Sequence, residues 1–455
     1  MSTSAGIPDS ALVMGLGRFG GGLGVCRYLL ERGCRVTLTD TLDVEALAEP
    51  LGELRSWIDS GQLTLRLGGH DVEDFRNAEL VVVNPAIPPF GNEYIEAARE
   101  SGARLTSEIV LAIERLHRER VIGVTGTLGK STTVSMIHHA LTELGVRAHL
   151  GGNIGGSLLT RLDEIHEDDW VVLELSSAQL HWINNECGME WSPPVAVVTN
   201  VQPNHLDWHP GAEHYELSKR SLCAHQRPAD SAVLDGSLRA WAIDGVDART
   251  IDDGVGEWSE SVSMRLAGTH NARNGAAAMC AIECACARME RARICEAIAS
   301  FGGLPHRFQL VATDARGVRW VNDSKCSTPE ASCMAMSSLR EGEAFEGTIH
   351  LIAGGYDKGL DLSPMLEDAV EDKLRVYTIG ATAQVIEVLC RTKGIPCEVC
   401  GTLETAVERA RATSEDGDVV LLSPACASWD QFTSFQERGG RFEHLVREMA
   451  CAPTT

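Results

Sequence analysis

Short unbroken apolar runs recur along the chain, and most end in glycine or polar residues. Ala11 to Met14 runs into "GLGRFGGGLG", Leu80 to Val83 into "NPAIPP", and "RVIGV" into "TGTLGKSTT". "DWVVLELS", "PVAVVTNV", "TIHLIAGGYDKG", "LRVYTIG" and "DVVLLSPACAS" repeat the pattern. A strand that is apolar on both faces must be covered on both faces. Parallel sheets flanked by helices provide that cover. The chain therefore reads as α/β, in three successive blocks. In such sheets ligands collect at the carboxyl ends of the strands, so site residues are expected where the apolar runs stop.

The first block carries a dinucleotide-like fingerprint. Gly15, Gly17 and Gly20 fit G-x-G-x-x-G, and Asp40 closes the next apolar stretch roughly twenty residues on. Taken literally, this is a nicotinamide site. The underlying physics is more general, because a glycine turn at a helix N-terminus receives any diphosphate. Glycines 21, 22 and 24 lie beyond the fingerprint and lower helix propensity there.

The second block opens with the strongest chemical signal, "VTGTLGKSTT". Gly126 and Gly129 let backbone N–H groups face a polyphosphate. Lys130 reaches the β and γ phosphates, and Ser131 can ligate Mg²⁺. Val124 stands where the strict phosphate-loop pattern has glycine. Downstream, Glu174 sits just past a strand in "VLELSSAQL", and Asn204, His205 and Asp207 end another in "TNVQPNHLDWH". Singly, each reads as readily as a satisfied polar strand end. Beside a phosphate loop, they suit two metal ions clamping a transferring phosphoryl group.

The 455 residues suffice for about three domains and large cores without disulfides. A net charge of −24 argues against nucleic-acid or anionic-membrane binding, though not against small anionic substrates. The polar opening "MSTSAGIPDS" and the lack of a long uncharged apolar run argue against a signal peptide and a membrane span. With fifteen scattered cysteines, a cytoplasmic chain with reduced thiols is expected. Cys280, Cys284 and Cys286 lie in an Ala-rich helical stretch without zinc spacing. Cys397 and Cys400 form a lone C-x-x-C in a strand. Both groups read as structural.

In order, "GTLGKST", "GGNIGG", "VLELSSAQL", "NHLDWH", "HNARN", "GLPHRF", "NDSK", "GGYDKG" and "SPACASWDQF" resemble the Mur ligase family, ATP-dependent amide ligases of peptidoglycan synthesis. The resemblance spans nearly the whole chain. It implies an α/β fold of three domains: an N-terminal Rossmann-like domain (1–108) for the UDP substrate, a central P-loop ATPase-like domain with a mostly parallel sheet (109–303), and a C-terminal Rossmann-like domain (304–455). It implies ATP and two Mg²⁺ ions, not NAD. The implied substrates are UDP-N-acetylmuramoyl-L-alanine and D-glutamate, joined through an acyl phosphate. A monomer is expected.

The resemblance also assigns residues. Catalytic roles fall to Lys130, Glu174, His205 and Lys219, with Ser131 and Glu174 on one Mg²⁺ and His205 on the second. Lys219 takes the place of a carbamylated lysine that also faces metal; from the sequence alone it reads as a solvated helix lysine. ATP binding is implied for Gly126, Thr127, Gly129, Lys130, Ser131, Thr132, Asn271, Asn274, Arg307 and Asp323. The UDP substrate is implied at Gly15, Gly17, Arg18, Phe19, Asp40, Thr41, Asn153, Ser176 and Gln179. The amino acid is implied at Lys325, Ser327, Lys358, Ser428, Trp429 and Phe435.

The chain departs from the family pattern in places. Leu128 replaces the usual Asn of the phosphate loop, and "NPAIPP" replaces a usual Ser-Pro-Gly. "NDSKCSTPE" differs from the usual "NDSKATN" at Cys326, Ser327, Thr328 and Pro329. These departures bear on amino-acid choice and UDP geometry. One alternative is therefore a sister ligase adding L-glutamate or another amino acid to the same nucleotide; a non-catalytic nucleotide-binding protein on this fold is a second. A dehydrogenase would leave Lys130, Glu174 and His205 without a task.

Overall fold

The computed structural model describes residues 6–16, 21–202, 204–206, 208–259, 269–341, 345–357, 359–367, 369 and 373–451. It contains three sheets. The first has strand order β3-β2-β1-β4-β5, built from β1 (Ser10–Met14), β2 (Arg35–Asp40), β3 (Leu63–Leu67), β4 (Leu80–Val83) and β5 (Arg104–Thr106). Every pairing in it is parallel. The strand order reverses where β1 meets β4, which opens a crevice beyond Met14 and Val83.

The second sheet has order β11-β10-β9-β6-β8-β7 and is also parallel throughout. Its strands are β6 (Val121–Thr125), β7 (Ala148–Gly152), β8 (Trp170–Glu174), β9 (Val195–Val198), β10 (Ser231–Leu234) and β11 (Asp247–Thr250). β6 lies between β8 and β9, so the loop after β6 is flanked by the carboxyl ends of both. The third sheet has order β12-β13-β17-β14-β15-β16, with β12 (Gln309–Thr313), β13 (Arg319–Asn322), β14 (Ile349–Gly354), β15 (Leu374–Ile379), β16 (Cys397–Gly401) and β17 (Val419–Leu422). Only the pairing of β12 with β13 is antiparallel.

The central strands are buried at every residue in β4, β6, β8, β9, β10, β14 and β17, as two-sided helix cover requires. The chain divides into two compact units, 1–264 with 272–301, and 265–271 with 302–455. One continuous core runs from Val13 and Val36 of the first sheet to Val171 and Ala196 of the second, which makes these two sheets one unit. In the other unit, separate cores cover the two faces of the third sheet.

Two of the glycines after the fingerprint, Gly22 and Gly24, serve close packing. The helix Gly21–Glu31 starts directly after residues 17–20. A Cβ on Gly22 would lie 2.4 Å from the carbonyl oxygens of Gly15 and Leu16. A Cβ on Gly24 would lie 2.5 Å from that of Ser157, at the seam between the first two sheets. The described cysteines are free thiols. No helix among the described residues is long and apolar enough to cross a membrane.

Candidate active site

The loop between β6 and the helix Lys130–Glu143 is shaped by two glycines, Gly126 at φ +149° and Gly129 at φ +82°. Only glycine fits Gly126: a Cβ there would lie 2.0 Å from Thr199 Oγ1. Gly129 ends the loop in the left-handed region and starts the helix, so the first helical N–H groups face the loop. Ser131 is buried in that first turn. Lys130 Nζ donates to the Thr127 carbonyl at 2.9 Å, folding back along the loop. Asn274 packs against the same turn, its Oδ1 accepting from Thr133 Oγ1 at 3.3 Å. Asn271 is buried on the helix Thr269–Ala285.

The neighbouring strand ends add the polar groups. Glu174, the last residue of β8, pairs in register with Val124. Asn153 Nδ2 donates to Glu174 Oε1 at 3.1 Å, while Glu174 Oε2 is buried without a hydrogen-bond partner. An orphaned carboxylate oxygen is costly unless a cation or donor reaches it. Beside a phosphate loop with a buried Ser131, this donor set fits a hard divalent cation such as Mg²⁺. Gly152 allows the approach: at φ +85°, its Cβ would lie 2.1 Å from the Glu174 carbonyl oxygen.

Lys219 is buried, against its reading as a solvated helix lysine. The helix Ala212–Ala224 turns its Tyr215–Lys219 face onto the phosphate loop. Lys219 Nζ donates to the Gly126 carbonyl at 2.8 Å and lies 4.6 Å from the centre of the Tyr215 ring. Burial, with Lys130 adding to it, pulls the Lys219 amine down to about 6. The shift favours the uncharged amine. His205 is exposed, with its backbone at φ +52° and its N–H donating to Asn204 Oδ1 at 2.7 Å.

Ser176 and Gln179 engage each other. Ser176 Oγ accepts from Gln179 N, and Gln179 Oε1 accepts from Ser176 N, a capping box on the helix Ser177–His181. Both Asp40 oxygens also hold backbone, one accepting from Leu16 N and the other from Leu42 N, each at 2.9 Å. Asp40 thereby fixes the turn at Gly15, which has φ +88°. Thr41 is exposed, and Thr127, Gly129 and Thr132 are half-buried. Gly17, Arg18, Phe19, Asp207 and Lys358 lie outside the described residues.

In the second compact unit, the "GLPHRF" turn holds His306 at φ +61° and Phe308 at φ +48°, on either side of Arg307. Non-glycine residues in the left-handed region are uncommon and point to a functional constraint. Asp323 follows β13, accepting from Phe308 N at 3.1 Å and from Ser423 Oγ at 2.9 Å; burial raises its carboxyl to about 6. Lys325 Nζ lies 5.5 Å from the centre of the Phe435 ring, so these two residues share a patch. Ser327 lines a small cavity with Tyr356, Asp357, Leu362 and Cys426. Ser428 Oγ is buried without a partner, and exposed Trp429 packs on Tyr356 at 5.6 Å.

Several contributors were not singled out from the sequence. Thr199 and Asn200 hold the phosphate loop: Leu128 O accepts from Thr199 Oγ1 at 2.6 Å, and Asn200 Oδ1 accepts from Leu128 N at 3.0 Å. The polar end of "VAVVTN" was their signal. Tyr215 OH lies 2.9 Å from Thr127 Oγ1. His209 Nε2 bonds Ser177 Oγ at 2.9 Å and its Nδ1 meets His214 Nδ1 at 2.7 Å. Burial presses His209 down to about 4, so it works as a neutral strut.

A phosphate loop beside a paired and an orphaned carboxylate oxygen, on a parallel sheet, defines the class of nucleotide-dependent phosphoryl-transfer enzymes. Comparisons with known proteins narrow the class. The MurD-like Mur ligase N-terminal domain matches residues 9–107, the Mur ligase middle domain 124–242, and the Mur ligase glutamate ligase domain 306–426. The chain belongs to the Mur ligase family. It is 35% identical to the UDP-N-acetylmuramoylalanine–D-glutamate ligase of Symbiobacterium thermophilum, over 98% of this chain and 99% of that protein. The ligase of the same name from Roseiflexus sp. is 36% identical, covering 96% and 98%. The fold matches UDP-N-acetylmuramate-alanine ligase MurC from Thermotoga maritima at TM-score 0.59 and 18% identity, over 97% and 99% of the two chains. MurF ligase from Thermotoga maritima, solved with ADP, matches at TM-score 0.52 and 19% identity, over 84% and 97%.

Proposed function

We propose that this chain adds D-glutamate to UDP-N-acetylmuramoyl-L-alanine, using ATP and an acyl-phosphate intermediate, in peptidoglycan precursor synthesis. The single observation that carries the ATP chemistry is the orphaned Glu174 Oε2 at the strand end beside the Lys130 loop. The substrates come from the names of relatives aligned over nearly the whole chain.

In this reading the L-alanyl carboxylate attacks the γ-phosphorus and ADP leaves. The D-glutamate amine then attacks the acyl carbon, forms the amide, and phosphate leaves. Two anions must meet in the first step, so fixed positive charge dominates catalysis. Lys130 and the N–H groups of the helix start supply it. Ser131 and Glu174 would hold one Mg²⁺, with His205 and a carbamylated Lys219 at the second; bound there, the ions neutralise phosphate charge. Asn153 orients Glu174. Asn271, Asn274, Arg307 and Asp323 serve ATP, and Gly15, Asp40, Thr41, Ser176 and Gln179 line the UDP-substrate side, Asp40 by shaping its turn. Lys325, Ser327, Ser428, Trp429 and Phe435 serve the amino acid. The reading keeps three domains, 1–108, 109–303 and 304–455, the first two packed as one compact unit, in a cytoplasmic monomer.

Incubation with ATP, Mg²⁺, UDP-N-acetylmuramoyl-L-alanine and D-glutamate is expected to yield a nucleotide heavier by one glutamyl residue. Unchanged nucleotide would sink the proposal. The pH profile adds a second check. A carbamate forms when the neutral amine adds CO₂ and releases a proton, so turnover should fall as pH drops through about 6, where Lys219 takes up a proton. Protonation of Asp323 near the same pH acts in the same direction. Phosphate release that stays flat well below pH 6 would contradict both roles.

A further inference from the structure

Arg438, on the helix Phe435–Cys451, is 1% exposed, yet its guanidinium makes hydrogen bonds to neutral oxygens of two separate turns. Toward the turn after β13, Nε donates to Ser324 Oγ at 3.0 Å and Nη2 to Ser324 O at 2.8 Å. Toward the turn after β17, Nη1 donates to Ala427 O at 3.3 Å and Nη2 to Cys426 O at 3.1 Å. A third turn packs on this clasp: Tyr356 N donates to Ala427 O at 2.9 Å, and a Cβ on Gly355 would lie 3.2 Å from Arg438 Nη1. Ser324 Oγ donates on to Phe435 O at 2.9 Å, closing the clasp onto the helix start.

Ser324 immediately precedes Lys325, and Ala427 immediately precedes Ser428, whose hydroxyl is buried without a partner. We infer that Arg438 is a positioning residue of the amino-acid site, setting the spacing between Lys325 and Ser327 on one turn and Ser428 on the other so that they meet a dicarboxylate. The inference rests on the proposed amino-acid site. The planar fork of arginine spans two turns at once; a lysine ammonium is a point charge and cannot. Burial lowers the guanidinium to about 10, so the charge persists at neutral pH and adds positive potential beneath the ligand carboxylates.

The test is steady-state kinetics on the full chain carrying Arg438→Lys, with Ser324→Ala as a second variant and thermal unfolding recorded for each. Arg438→Lys should raise the D-glutamate KM at least about tenfold and leave the KM for the UDP substrate within about twofold. Ser324→Ala should shift the D-glutamate KM in the same direction by less, and it carries the test if Arg438→Lys does not fold. Equal loss in all parameters, tracking the folded fraction, would overturn the inference in favour of a purely structural arginine. An unchanged D-glutamate KM in both variants would overturn it as well. If the unmodified enzyme shows no D-glutamate-dependent phosphate release, the proposed substrate fails first and the inference falls with it.

Discussion

Lys130→Ala should lower ATP-dependent phosphate release at least about a thousandfold, equivalent to about 4 kcal/mol of transition-state stabilisation. The loop positions that ammonium by folding it along its own backbone, with Nζ 2.9 Å from the Thr127 carbonyl oxygen. When a polyphosphate enters, the same ammonium can swing to it without rearranging the strand or the helix. This side chain belongs to the loop after β6, in the second sheet. Binding of the UDP substrate, followed by calorimetry without ATP, should therefore change by less than about threefold. Phosphate release within tenfold of the unmodified enzyme would remove this loop from the chemistry.

Glu174→Gln is expected to cost about a hundredfold to a thousandfold in kcat and to raise the Mg²⁺ concentration needed for half-maximal rate. The substitution preserves size and the strand end, so folding should be retained. It replaces an anionic oxygen that has no protein partner with a neutral amide. It also puts the contact from Asn153 Nδ2 at risk, because an amide can present N–H₂ where Oε1 now accepts. A magnesium titration of phosphate release measures both effects. A variant with unchanged magnesium dependence would show that Glu174 does not face the ion.

The sequence carried the parts of this site that lie along one strand–turn–helix segment. Gly126, Gly129, Lys130 and Ser131 are neighbours in the chain, and their spacing alone describes a phosphate cradle even with Val124 in place of glycine. Glu174 was legible because a buried strand must stop somewhere, and a carboxylate at its end needs a reason. Most interior strands were legible from their unbroken apolar runs, but β10, four residues in a turn-rich stretch, was not. The edge strands β3, β11 and β12 were not, since each has one open side and mixes polar with apolar residues. Lys219 illustrates the other limit. Its burial depends on which face of its helix packs against β6, and nothing within its own segment records that register. Arg438 was hidden for a related reason: its partners at 324, 426 and 427 come from other strands' loops. At Gly15 to Gly20 the fingerprint cannot by itself name a cofactor, because backbone N–H groups read phosphate and not the base beyond it.

The most direct test is phosphate release from ATP in the presence of UDP-N-acetylmuramoyl-L-alanine, with D-glutamate and L-glutamate compared at equal concentration. D-glutamate-dependent release, with little from L-glutamate, is the predicted result. Release with L-glutamate but not D-glutamate, or with neither, would contradict it.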